Sequence, residues 1–294
     1  MMRLDVALIR GHPELSRRKA REVIEKGQVT VDGATALDAG RSVAGTERIE
    51  WDANRPARRR ARSSLPLLYE DGQLLVVDKP AGLLSVPSSP DARDEDTVLA
   101  RVREYVRHLR PRQPYVGVVH RLDRDTSGAL AFALEPATRE ALRALFRHHR
   151  IERRYLALVG GAPRGERGEV DLALRDEYEG GRRGVARPGE AARPALTRWR
   201  VVERLPGAAL LEVELETGRQ HQIRVHLAHV GLPVLGDSLY GKDARAPVAV
   251  RRQMLHAQLL GLTHPATGRS LCIESPLPAD FAKALAALRA KQRR

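Results

Sequence analysis

The 294-residue chain is 42% hydrophobic and 30% charged, enough apolar material for one large domain or two of unequal size. Fifty-one Lys and Arg against 37 Asp and Glu leave a net charge of +14; six of the cations are lysines, so 45 are arginines, whose planar fork matches phosphate. A single cysteine, Cys272, excludes a disulfide framework and a cysteine-built zinc site, no apolar run approaches the ~20 residues that span a bilayer, and 4% aromatics are too few for a base-stacking platform. A cytoplasmic protein facing a polyanion is expected, although an Arg- and Ala-rich genome would raise the same count.

At the N-terminus, Arg3, Asp5, Arg10 and His12 break the apolar stretch that a signal peptide would need. Ser16 suits an N-cap, Ala20, Val23 and Ile24 form an apolar stripe at helical spacing, and Gly27 is placed to end that helix. Arg17, Arg18 and Arg21 fall on the side away from the stripe, as candidates for contact with an RNA backbone or as a merely solvated face. Val29 and Val31 lead into the turn signal Asp32-Gly33, the start of a hairpin. The run Arg3-Leu4-Asp5, Leu15-Ser16-Arg17 and Gly27-Gln28-Val29-Thr30-Val31-Asp32-Gly33 resembles the RNA-binding module named after ribosomal protein S four. That module is expected over residues 1–54.

Residues 55–64 hold a proline and five arginines without periodicity, the signature of an extended basic linker. From residue 65 to 294 strands and helices mix. Residues 74–78 read as a buried strand entering the turn Lys79-Pro80-Ala81-Gly82, and residues 116–119 and 128–134 as strands flanking a polar loop. Residues 138–147 read as a helix with Ala141, Leu142, Leu145 and Phe146 inward, and residues 154–159 as a strand. Leu211, Val213 and Leu215 alternate with Glu212, Glu214 and Glu216, as in a half-exposed antiparallel strand. Residues 221–230 read as a helix with Ile223, Leu227 and Val230 on one face, and His221 and Arg224 opposite. Strands in hairpins with helices between groups predict an α+β fold with a mixed, mostly antiparallel central sheet.

Three segments carry chemistry. His120-Arg121-Leu122-Asp123-Arg124-Asp125-Thr126-Ser127-Gly128 puts carboxylates among arginines and hydroxyls, an environment that favours the charged form and that a structural salt bridge would equally produce. Thr217-Gly218-Arg219-Gln220-His221-Gln222-Ile223-Arg224 places two arginines and a histidine after a Gly turn, suited to phosphate or to a distant carboxylate. In Arg153-Arg154-Tyr155 a tyrosine opens a strand beside two cations. The histidines 148, 149, 221, 226 and 229 show no metal-ligand spacing, and are expected at the surface or facing RNA.

Together with Lys79-Pro80-Ala81-Gly82 and Gly236-Asp237 through Tyr240-Gly241, these segments resemble the RluA-type bacterial RNA pseudouridine synthases. The resemblance implies isomerisation of specific uridines in structured RNA, with no cofactor or metal. It implies that Asp123 is the catalytic aspartate, that Arg224 holds its carboxylate, and that Tyr155 lies against the target uracil. Arg121 would take the place of a flipped base in the stack, with Arg219 and His221 also on the RNA. Three departures stand out: Arg154, where lysine is commoner, Gln220, where threonine is commoner, and Ser85-Val86-Pro87 in place of Val-His-Pro. The expected protein is a monomer acting on large-subunit ribosomal RNA. Transfer RNA is the second substrate, and a non-catalytic ribosome-assembly factor is the competing class.

Overall fold

The computed structural model describes residues 2–36, 39–55, 65–92, 95–110, 112–175, 182–241 and 246–292. Two compact units divide the chain, residues 1–63 with 105–112 and residues 64–104 with 113–294. Of the expected linker, residues 56–64 lie outside the described residues.

In the first unit, α1 Leu4–Gly11 and α2 Arg17–Glu25 precede a three-stranded antiparallel sheet of β1 Val29–Val31, β2 Ala34–Ala36 and β3 Ile49–Trp51, with β1 central. The local signals act as their chemistry requires. Ser16 Oγ accepts the Lys19 N–H at 3.1 Å and caps α2, and Gly27, at φ +71°, lets the chain leave it in the left-handed region. Asp32 and Gly33 both have positive φ, as a two-residue hairpin turn demands. Ala20, Val23 and Ile24 pack with Leu4, Leu8, Val29 and Val31 in one core. Full burial of each Leu, Ile or Val contributes about 1.5–3 kcal/mol.

The basic face of α2 is also tied inward. Asp5 is fully buried, with Arg3 Nε at 3.1 Å, Arg21 Nε at 3.0 Å and Arg17 Nε at 3.5 Å. Burial pushes the Asp5 carboxyl up, but the hydrogen bonds from Arg3 and Arg21 outweigh it and hold it at about 2. The unfolded group titrates near 3.8, so this stabilisation is complete above that pH and is lost as pH falls through 2. Asp5→Asn is expected to remove the dependence and to lower stability at neutral pH, followed through the Trp51 indole NMR signal during acid titration. Identical acid transitions in both proteins would refute the assignment.

From residue 65 the chain forms β4 Leu67–Glu70, β5 Leu74–Lys79, α3 Val98–Leu109, β6 Gly117–Val118, β7 Ser127–Ala133 and α4 Pro136–Arg147. Then come β8 Glu152–Gly160, β9 Arg167–Asp171, β10 Leu196–Leu205, β11 Ala208–Leu215, α5 Gln222–His229, β12 Leu255–Thr263, β13 Ser270–Glu274 and α6 Ala279–Gln292. The sheet order is β9-β10-β11-β8-β12-β7-β5-β4, with β13 on β12 and β6 on β7. Only the β7–β12 pairing is parallel among these described strands, so the sheet is mixed and mostly antiparallel, as the hairpin pattern predicts. At that crossing Gly128 has φ +120°, and a Cβ there would lie 2.2 Å from the Ala257 carbonyl oxygen, so the close approach requires glycine. Leu142 of α4 packs on Leu74, Val76 and Ala131, while Phe281, Leu285 and Leu288 of α6 pack on Leu158 and Leu210.

Two sequence expectations are corrected. In β11, Glu212 is buried rather than exposed, because Arg200 Nε donates to it at 2.6 Å and partners the charge. In α5 every residue from Gln222 to Leu227 is buried, whereas Val230 is 43% exposed. The helix has no polar outer face. His226, expected at the surface, is enclosed with its ring nitrogens 2.9 Å from Thr197 Oγ1 and from the Leu172 carbonyl oxygen. No helix among the described residues is long and apolar enough to cross a membrane.

Candidate active site

A cavity of about 1270 Å³ opens in the second unit, and six of the residues singled out in the sequence line it: Arg121, Asp123, Tyr155, Arg219, His221 and Arg224. They come from the β6–β7 loop, from β8, and from the turn and helix at α5. Arg17, Arg18 and Arg21, the other candidates for RNA contact, belong to the N-terminal unit.

Asp123 and Arg224, 101 positions apart, meet through Arg224 Nη1, which donates to Asp123 Oδ2 at 2.9 Å. The other face of the guanidinium is a fork onto Asp237, with Nε to Oδ2 at 2.7 Å and Nη2 to Oδ1 at 2.9 Å. Asp237 is fully enclosed, and its Oδ1 also accepts the backbone N–H groups of Leu239 and Tyr240. Burial works against both charges here, but each is overcome by the pairing. The Arg224 guanidinium is held well above its ordinary value by Asp237 and Asp123, and the Asp237 carboxyl below its own by Arg224. Arg224 is therefore a fixed cation that presents one N–H to Asp123.

Asp123 keeps 23% of its side-chain surface, and its second oxygen, Oδ1, lies 4.0 Å from His221 Nε2, beyond hydrogen-bond reach. His221 sits at φ +59° as the residue before α5, a left-handed conformation uncommon for a side chain of its size, and its Nδ1 is 2.9 Å from Tyr240 Oη. Burial pushes its imidazole below the ordinary value, against the pull of Asp123. Tyr155 is enclosed on β8, and burial raises its phenol against the nearby Arg153, so it remains a neutral O–H at physiological pH. Arg153 lies over the Phe146 ring at 5.7 Å, and Nη2 donates to the Leu215 and Glu216 carbonyls. His120 stacks on the same ring and accepts the Ala131 N–H at Nε2, and burial lowers it to about 3. It is a neutral spacer at the root of the loop.

What holds Asp123 in place was largely unread in the sequence. Every carbonyl from Leu122 to Thr126 has a donor. Lys79, fully buried, gives its three N–H groups to Pro80, Arg124 and Thr126 at 2.7–2.9 Å, the full donor count of an ammonium. Arg252 Nη1 donates to the Asp125 carbonyl, and its Nε and Nη2 fork onto Asp280. Ser85 Oγ donates to the Leu122 carbonyl at 2.6 Å and accepts the Leu122 N–H at 3.0 Å. The departure at Ser85-Val86-Pro87 thus supplies a clamp one residue before Asp123. Ser85→Ala leaves both Leu122 groups buried without partners, an expected loss of about 1–3 kcal/mol by thermal unfolding. Amide exchange at Leu122 should accelerate in that variant, and unaltered protection would count against the clamp. Lys79 and Asp237 were marked in the sequence only as members of the motifs Lys79-Pro80-Ala81-Gly82 and Gly236-Asp237, and Arg252 not at all; nothing local identifies the partners of any of the three.

A tethered carboxylate with one open oxygen, beside a neutral phenol and under arginines, can attack an electron-poor carbon or take a proton from a bound polyanion. Comparison with known proteins bears on which. The family described as RNA pseudouridylate synthase matches residues 73–229, and the S4 domain matches residues 2–49. The chain is 38% identical to ribosomal large subunit pseudouridine synthase D of Nitrosomonas europaea, over 98% of this chain and 85% of that one. It is 35% identical to an uncharacterized RNA pseudouridine synthase of Synechocystis sp., over 98% of this chain and 89% of that one. Among solved structures it is similar to human RNA pseudouridylate synthase domain containing 4, with TM-score 0.64, 25% identity and coverage of 76% and 93%.

Proposed function

The chain belongs to the RNA pseudouridylate synthase family, and on that premise we propose that it converts specific uridines of large-subunit ribosomal RNA to pseudouridine, with Asp123 as the essential group. Membership makes it an isomerase acting on RNA, with an S4 domain at its N-terminus. The ribosomal target rests on the names of relatives such as the Nitrosomonas europaea protein. The single observation that carries the assignment of Asp123 is its 2.9 Å contact with a buried, doubly paired Arg224 at the floor of the cavity.

In this reading Arg224 holds Asp123 turned so that Oδ1, the oxygen it does not bind, meets the ribosyl-uracil. The C–N glycosidic bond breaks, the uracil turns, and a C–C bond forms from the sugar to carbon five. The hydrogen at carbon five leaves as a proton and the ring nitrogen gains one, so the product is an isomer of the substrate. One open carboxylate oxygen serves either as nucleophile toward the nucleoside or as base for the ribose proton of a glycal route. Tyr155 lies against the uracil as a neutral O–H. Arg121, exposed at the rim, fills the stack that the flipped base leaves, with Arg219 and His221 on the RNA beside it. The same reading gives a cytoplasmic monomer with an RNA-binding module at residues 1–54, a basic linker at 55–64 and the catalytic domain at 65–294.

The test is tritium release from ribosomal RNA labelled at carbon five of uracil, with chain length followed on the same samples. Release from intact chains is the expected result. Tight binding without release from ribosomal RNA, pre-ribosomal particles or transfer RNA would overturn it.

A further inference from the structure

We propose that the face of α4 lining the cavity is a rail for the phosphodiester backbone of the RNA strand that carries the target uridine, with Arg143 and Arg147 as the residues that grip its phosphates. The inference rests on the RNA-modifying reading above and adds a binding surface to it. Arg139, Arg143 and Arg147 all line the cavity, together with Arg121 and Arg124 of the Asp123 loop. They stand at i, i+4 and i+8 on one helix, so they share a face, with stems about 6 Å apart at 1.5 Å per residue. That interval is comparable with the separation of successive phosphates along a nucleic-acid strand.

The arginines of this row differ from several on the sheet and α6 in having little carboxylate company. On the sheet and α6, Arg198 is paired with Glu169 and Glu216, Arg200 with Glu212, Arg204 with Glu166 and Arg289 with Glu203. Among the described residues, no carboxylate lies within 4.0 Å of Arg121, Arg124, Arg143 or Arg147, and Arg139 reaches only the exposed Glu140 at 3.5 Å. Like charges at i,i+4 weaken a helix rather than support it. A row of three such charges on a concave wall instead raises the positive potential where an anion would enter. The stem of Arg139 packs beside Gly117, where an added Cβ would lie 2.8 Å from its Cδ, so this residue is fixed at the inner end of the row. Arg143 and Arg147 are exposed, with room to turn their forks onto phosphate oxygens.

A purely structural reading also exists for Arg147, since a cation in the last turn of α4 complements the helix dipole. The two readings separate by experiment. In the full-length protein, Arg143→Gln with Arg147→Gln is expected to raise KM for ribosomal RNA about tenfold or more while kcat stays within about twofold. The slope of log binding constant against log salt should become shallower by about 1.4, since each single-strand phosphate that a cation neutralises contributes about 0.7. Arg143→Lys with Arg147→Lys should retain most of the slope. Arg198→Gln with Arg204→Gln removes as much charge from the sheet and should leave slope and KM alone. A wild-type KM and salt slope in the double Gln variant would overturn the rail. So would an equal fall of slope in the sheet variant, which would make the effect one of net charge. Equilibrium binding reads the rail even if no RNA tested releases tritium, a result that would sink the enzymatic assignment and leave the rail standing or falling by its own slope.

Discussion

Asp123→Asn is expected to lower tritium release by at least ~10³-fold while the protein stays folded, within about 1 kcal/mol of wild type. The asymmetry of the ion network is the reason. Arg224 spends two N–H groups on Asp237, which is fully enclosed, and a single one on Asp123, which keeps 23% of its surface. Asparagine is nearly isosteric, and its carbonyl oxygen can still accept the Arg224 N–H. The buried cation remains neutralised by Asp237, so little folding energy is at stake. What disappears is the negative charge on the open oxygen, and with it the nucleophile or base. A merely structural salt bridge at this place predicts the reverse outcome, a loss in thermal stability with turnover retained. Measuring both quantities on one preparation decides between them.

Arg224→Leu is expected to destabilise the protein by about 3–5 kcal/mol and to abolish turnover as well. The substitution strands Asp237 in an enclosed site, with only the N–H groups of Leu239 and Tyr240 on its Oδ1. The pH dependence then changes sign. In the wild type the Asp237 carboxyl is held below 3.8, so its pairing contributes fully above that pH and is lost on acidification through the lowered value. In the variant, burial without its cation pushes the same carboxyl up. The unfolded chain then ionises more readily than the folded one, and the variant's deficit shrinks as pH falls toward 4. Chemical denaturation between pH 4 and 8 checks this, and a deficit that grows on acidification would contradict it. Adding Asp237→Leu to Arg224→Leu removes the stranded charge and should restore much of the stability but none of the turnover. That pair of results separates positioning Asp123 from holding the fold together.

Much of the fold was legible because it is governed by neighbours in sequence. The Ser16 cap, the exit at Gly27, the turn at Asp32-Gly33 and the strand running into Lys79 depend on backbone sterics and on hydrogen bonds within a few residues. The helix expected at 138–147 is seen as Pro136–Arg147 for the same reason. Where the expectation failed, distant partners had reversed a local rule. Glu212 is inside because Arg200 on the adjacent strand accompanies it, and α5 can be buried from Gln222 to Leu227 because Thr197 and Leu172 satisfy His226.

By itself the sequence determined the class of the protein: its cationic surplus, its lack of a cysteine framework, and motifs whose order points to one family and to Asp123, Tyr155 and Arg224. It determined these because motif order and residue chemistry are properties of the chain. Only the tertiary structure decided which groups those residues meet. It brought Arg224 to Asp123 across 101 positions, gave Asp237 to Arg224 as a second anion, and closed Lys79, Ser85 and Arg252 around the loop carbonyls. It also turned the arginine row of α4 toward the cavity. A buried charge is tolerable only beside the partner that neutralises it, and which partner that is depends on how strands far apart in the chain are laid side by side.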